Sequence, residues 1–123
     1  LNSAPALAQE KEDQMGIELP APVAGYFSAD KARDADTVAR QFTEDAVVAD
    51  EGHTYTGREA IRHWTSASSA KYTYAVEPLA VAEEAGLTIV SAHLTGDCPG
   101  SPIDLRYRFA LEGARIAGLE IVP

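Results

Sequence analysis

From Pro20 onward the apolar positions recur with helical spacing: Val23, Tyr26 and Phe27 share one side with Asp30, at i, i+3, i+4 and i+7. Pro20 and Pro22 suit a first turn, where backbone N–H groups have no partner inside the helix. The spacing predicts a first helix to about residue 33. Asp34 can cap a short second helix, with Val38, Ala39 and Phe42 as its apolar side, before Thr43-Glu44-Asp45 breaks the pattern. Residues 46–50 then read as a short strand and residues 52–57 as a loop. Thr56-x-x-Glu59 has the form of a capping box, directly before Ala60, Ile61, Trp64 and Ala67 at helical spacing, and predicts a third helix to about residue 69.

After that helix the period changes to two. Residues 71–83, 87–96, 103–111 and 115–122 read as four long strands, separated by Glu84-Ala85-Gly86, by residues 97–102 and by Glu112-Gly113-Ala114. Links this short force antiparallel pairing. Three helices followed by a meander make an α+β arrangement, and the sheet must bury one face against the helices. A strongly curved antiparallel sheet wrapped around N-terminal helices encloses a cone with room for a pocket.

The chain has 123 residues, 46% hydrophobic and 24% charged, the balance of one globular domain. A chain of this size buries roughly two-thirds of its unfolded surface, enough to fold without disulfides or structural metal. Ten Lys and Arg against nineteen Asp and Glu give a net charge of −9, which repels nucleic acid and anionic membrane surfaces. Cys98 is the only cysteine, so no intrachain disulfide can form, and no Cys/His spacing for zinc is present. No run reaches the ~18 apolar residues of a membrane span. Residues 1–14 are polar, lack a periodic face and precede Met15; they are expected to be a leader, an expression remnant or upstream remainder, with residues 15–123 as a single domain. Ala6-Leu7-Ala8 is like the tail of a secretory signal, but the charged and apolar regions of such a signal do not precede it. A cytoplasmic location is therefore the expectation.

Several short strings follow one another in a telling order: Tyr26-Phe27 in the first helix, Asp34-Ala35-Asp36 at the break, Phe42-Thr43-Glu44-Asp45-Ala46 entering the first strand, and Gly57-x-x-Ala60-Ile61 opening the third helix. Over residues 20–122 the chain resembles the NTF2-like superfamily, in particular its SnoaL-like and ketosteroid-isomerase-like members. The Phe-x-x-Asp-Ala and Gly-x-x-Ala-Ile steps are the most specific. The resemblance implies the cone-shaped (cystatin-like) fold, activity without a cofactor, and a homodimer formed through the outer sheet face, where Thr73, Ser91, His93, Thr95, Arg106 and Arg108 fall.

In ketosteroid isomerases a helix-one tyrosine donates a hydrogen bond to the substrate oxygen and an aspartate ending the first strand shuttles the proton; an ungapped alignment puts Tyr26 and Asp50 at those positions. The residues agree with this reading. Tyr26 lies on the apolar stripe, so its hydroxyl needs a partner inside. Asp50 shares parity with Ala46 and Val48, which turns its carboxylate inward at a strand end. A poorly solvated carboxylate is a competent base and a phenol can stabilise a developing enolate. For the family's third group, a protonated aspartate, Pro102-Ile103-Asp104 offers Asp104 by local string. Parity instead places Ile103, Leu105, Tyr107, Phe109 and Leu111 inside, with Asp104 beside Arg106 and Arg108. Tyr107 is thus the stronger pocket donor, and only a bulge would turn Asp104 inward.

Phe27, Val48, Trp64, Leu94 and Phe109 are the candidates for an apolar wall, with His53 and Tyr55 at its mouth. Asp50, Glu51 and His53 have a generic spacing, and no metal is expected there. His63 and His93 fall on outward faces, and Cys98 reads as a plain loop thiol. Structural readings stand beside these: Tyr26 as a core aromatic, Asp50 as a solvated turn residue, Trp64 as core filler.

Two functions remain open. One is a cofactor-independent enzyme of isomerase or cyclase type, with Asp50 as base, Tyr26 as donor and Tyr107 or Asp104 assisting, acting on a small, largely apolar carbonyl-bearing molecule. The other is a binding or dimerisation module that holds such a molecule without turning it over. Epoxide hydrolysis, as in limonene-epoxide-hydrolase-like relatives, would need an Asp-Arg-Asp set inside the cone, and Arg106 and Arg108 have the wrong parity for it.

Overall fold

The computed structural model describes residues 17–123, so the expected leader at residues 1–14 and Met15 lie outside the described residues. Three helices and six strands follow in the order α1 (Ala21–Lys31), α2 (Ala35–Arg40), β1 (Phe42–Asp50), β2 (His53–Thr56), α3 (Arg58–Lys71), β3 (Tyr74–Glu84), β4 (Leu87–Gly96), β5 (Ile103–Glu112) and β6 (Arg115–Val122). The sheet order is β2-β1-β6-β5-β4-β3. Strands β3 to β6 form the expected antiparallel meander. The sheet as a whole is mixed, because β1 runs parallel to β6. A parallel neighbour needs a crossover, and α3 with the three strands after it supplies one.

Three local expectations are corrected. Strand β1 starts at Phe42 rather than Ala46. The segment read as a loop is the strand β2, paired to β1 through the two-residue turn Glu51-Gly52. Both turn residues have positive φ (52° and 77°), as a turn that follows the twist of its strands requires. The capping box does not form: Gly57 is the N-cap of α3 with no side-chain cap, and its own N–H bonds to the Ala46 carbonyl at 2.8 Å. Thr56 is held in β2 and Glu59 faces Arg62 and His63 on the helix surface. The cap of α2 is as read, with Asp34 accepting from the Thr37 N–H at 3.1 Å.

The core lies between α1, α2 and α3 and the inner sheet face, where Val23, Val38, Phe42, Val48, Ile61 and Phe109 are fully buried. The register shifts next to Leu79 in β3 and between Ala110 and Leu111 in the β5–β6 pair are irregularities of the kind that bend and twist a sheet locally. Among the described residues no helix is long and apolar enough to cross a membrane.

Candidate active site

Between the inner sheet face and helices α1 and α3 lies a cavity of about 420 Å³. Asp50, Ile121 and Tyr107 are paired laterally across β1, β6 and β5, so their side chains share its floor. Two strand spacings of ~4.8 Å put the Asp50 and Tyr107 backbones on the order of 10 Å apart. Tyr26 comes down from α1, its ring centroid 6.2 Å from that of Tyr107. A carboxylate on one side of the floor therefore faces two phenols on the other.

The Glu51-Gly52 turn ends β1 and leaves Asp50 at the cavity edge. Asp50 Oδ2 accepts a hydrogen bond from Trp64 Nε1 in α3 at 3.2 Å. Burial pushes the Asp50 carboxyl above the usual carboxylate range, while the Trp64 hydrogen bond pulls it part of the way back. Tyr26 and Tyr107 are 3% and 4% exposed. No side-chain hydrogen bond is made by either hydroxyl among the described residues, and both residues line the cavity, so the hydroxyls open onto it. Burial holds both phenols well above their ordinary range, with nearby acidic groups adding to the effect. Both are fixed as neutral donors across all physiological pH.

The structure separates the residues expected at the site. Tyr26, Asp50, Trp64, Leu94 and Tyr107 line the cavity. Phe27, Val48 and Phe109 do not: Phe27 packs edge-on behind the two phenols, 5.1 Å from Tyr26 and 5.0 Å from Tyr107, and Phe109 and Val48 are sealed in the core beneath them. Tyr55 backs Trp64 from a neighbouring shallow groove, with 6.0 Å between ring centroids, and His53 is exposed with Nδ1 3.0 Å from the Glu51 carbonyl. Neither residue lines the cavity itself. Asp104 is on the outer face, because β5 pairs with β4 without the bulge it would need; its Oδ1 lies 2.6 Å from His93 Nδ1. Arg108 is outside too, 3.4 Å from Glu120, and Arg106 reaches the Pro123 carbonyl, so no arginine stands between the cavity's acids. Among the described residues no three His, Cys, Asp or Glu side chains are grouped to hold a metal.

Sequence reasoning missed Asp30. It lines the cavity one helical turn beyond Tyr26, and its Oδ1 accepts from the Tyr74 hydroxyl at 3.1 Å. Burial raises its carboxyl, and bonds from Tyr74 and Thr65 oppose the rise. The same burial pushes the Tyr74 phenol up to about 12. The signal was present: a carboxylate on the apolar stripe of α1 has to be buried with a partner.

Comparison with known proteins supplies the context. A model of the SnoaL-like domain matches residues 23–119. None of the curated proteins matches the chain. Among solved structures, a candidate polyketide cyclase from Sinorhizobium meliloti is 41% identical, with 84% of this chain and 94% of that one covered at a TM-score of 0.79. A cystatin-fold protein from Novosphingobium aromaticivorans (21% identity, 83% and 95% covered, TM-score 0.69) and a protein of ketosteroid-isomerase-like fold from Catenulispora acidiphila (19%, 86% and 87%, 0.76) share the fold.

Proposed function

The chain belongs to the SnoaL-like family of the NTF2-like fold, and from that premise we propose that its cavity binds a small, largely apolar carbonyl compound and moves a proton beside the carbonyl. Asp50 takes the proton from the carbon. The C–H electron pair moves into a C=C bond, and the carbonyl π pair moves onto oxygen, giving an enolate. Tyr26 and Tyr107 donate hydrogen bonds to that oxygen as its charge develops. With a β,γ-unsaturated substrate the enolate is conjugated, and return of the proton from Asp50 to the far carbon completes an isomerisation; attack of the enolate carbon on a second carbonyl of the same molecule closes a ring, and the alkoxide so formed takes the proton from Asp50. The similarity to a candidate polyketide cyclase supports the second outcome. Neither needs a cofactor.

The observation that carries this reading is the pair of buried tyrosines whose hydroxyls, without a protein partner among the described residues, open onto the cavity across from a carboxylate. A phenol held with its hydroxyl free at a cavity wall is a ready donor, and an enolate or carbonyl oxygen of a ligand supplies the acceptor the protein does not. The cavity volume suits a small molecule. A non-catalytic binding module is the second reading, favoured by one observation: the third polar position is a phenol, Tyr107, in place of a carboxylic acid. The outer sheet face is proposed to pair two copies of the chain.

The test is exchange of α-protons of a small cyclic ketone into heavy water, and conversion of a β,γ-unsaturated ketone to its conjugated isomer. Asp50→Asn is expected to reduce the rate about 10²–10⁴-fold, and Tyr26→Phe about 10²-fold or more. Wild-type rates equal to buffer, or rates indifferent to Asp50→Asn, overturn the proton-transfer reading.

A further inference from the structure

Every charged side chain lining the cavity is an acid: Asp30, Asp50 and Glu51. Among the described residues the ion pairs are made elsewhere, by Arg62, His63, His93 and Arg108, and neither aspartate takes part. The groups that do bond to the two aspartates are neutral, Tyr74 to Asp30 and Trp64 to Asp50. Arg33 approaches Asp30's neighbourhood only from outside. Its guanidinium lies 5.9 Å from the Tyr74 ring centroid, with Nη1 donating to the carbonyls of Ser69 at 2.7 Å and Tyr72 at 3.5 Å.

Two part-buried carboxylates with no ion-pair partner, Asp30 feeling only the more distant charge of Arg33, are electrostatically costly. An anionic ligand would add to that cost and a cationic one would offset it. Much of the remaining wall is aromatic, with rings from Tyr26, Trp64, Tyr72, Tyr74 and Tyr107, and such rings attract organic ammonium ions. The unpartnered hydroxyls of the buried residues Tyr26 and Tyr107, open onto the cavity, call independently for an oxygen acceptor on the ligand. We propose that the cavity selects a small molecule carrying an organic ammonium group, with Asp30 as its counter-ion, while a carbonyl oxygen of the same molecule meets Tyr26 and Tyr107. Asp30 fits this part because Asp50 is the base of the reaction and Asp30 stands one turn beyond Tyr26, next to Tyr74. The inference rests on the ligand-binding cavity proposed above and adds the charge of the ligand.

Trp64 is the chain's single tryptophan, and its indole N–H gives one resonance inside the site. The full chain is titrated by NMR with three probes: choline, its neutral isostere 3,3-dimethylbutan-1-ol, and cyclohexenone as a neutral carbonyl compound. Choline is expected to bind at least about tenfold more tightly than the isosteric alcohol, with the preference shrinking at high salt. Asp30→Asn, which can still accept from Tyr74, is expected to remove the preference and leave cyclohexenone binding in place. Equal affinity for choline and the alcohol, or a preference that survives Asp30→Asn, overturns the inference. If Asp30→Asn fails to fold, the wild-type pair of probes decides alone. Cyclohexenone binding that weakens in Tyr26→Phe, without a choline preference, upholds the carbonyl reading and overturns this one; a choline preference without cyclohexenone binding upholds Asp30 as the counter-ion and overturns the carbonyl contact in both.

Discussion

Removing the hydroxyls of Tyr26, Tyr107 and Tyr74 one at a time separates function from support. Tyr74 donates to a part-buried carboxylate at 3.1 Å, so Tyr74→Phe leaves Asp30 short of a donor and is expected to cost about 1–2 kcal/mol. Tyr26 and Tyr107 are more deeply buried, at 3% and 4% exposure, which on burial alone would make them the costlier losses. Their hydroxyls open onto the cavity with no partner among the described residues, however, so Tyr26→Phe and Tyr107→Phe break no bond. The ring contacts with Phe27, Phe42 and Phe109 are kept. Each change is expected to fall between neutral and a gain of about 1 kcal/mol. Urea unfolding followed by far-UV circular dichroism reads the difference as a shift in midpoint at constant slope. The reasoning fails if Tyr26→Phe is destabilised as much as Tyr74→Phe, because its hydroxyl would then be tied into the fold rather than held ready for a ligand.

Other consequences follow from the same geometry. Because burial raises the Asp50 carboxyl, the folded state binds its proton more tightly than the unfolded chain, and stability falls as pH rises from the unfolded pKa through the folded one. Asp50→Asn is therefore expected to be more stable than wild type at neutral pH, the gain vanishing at about pH 4, where the unfolded carboxyl protonates; denaturation at both pH values checks this. The rate of proton transfer should fall as acidification protonates Asp50, with a midpoint above the usual carboxylate range, measurable as a pH–rate profile. Phe109→Ala, at a fully buried position behind the phenols, should cost about 3–5 kcal/mol by the same unfolding assay. A Cβ at Gly96 would run into the backbone of Thr73 and Tyr74, so Gly96→Ala should cost about 1–3 kcal/mol in urea and shift the Trp64 resonance by moving Tyr74.

Alternation along β5 was enough to decide between Tyr107 and Asp104, because a strand without a bulge fixes the face of each residue. The placement of Asp50 at the cavity edge was legible from parity and strand end together. Parity could not tell a residue that borders a void from one packed against a helix, so Phe27, Val48 and Phe109 were read as wall when they are core. That distinction depends on how α1 seats on the sheet. The parallel pairing of β1 with β6 joins segments about seventy residues apart and leaves no local trace. Strand β2 is four residues long and mostly exposed, so its pattern shows no buried face. Asp30 was visible on its stripe but lacked a partner until the fold brought Tyr74 to it from the far edge of the sheet.

That far edge has a consequence of its own. β3 is a margin of the sheet, and it carries Pro78 and the irregularity beside Leu79 midway along its length. Proline contributes no N–H, and the bulge turns the backbone groups out of line, so the margin offers an interrupted row of donors and acceptors. The opposite margin, β2, offers only four residues. A strand from a neighbouring molecule finds little to zip onto at either side, and Leu79, 51% exposed, can sit at the rim without seeding fibrillar growth. The segment that delivers Tyr74 to the cavity thus also guards the protein against the commonest hazard of an open sheet.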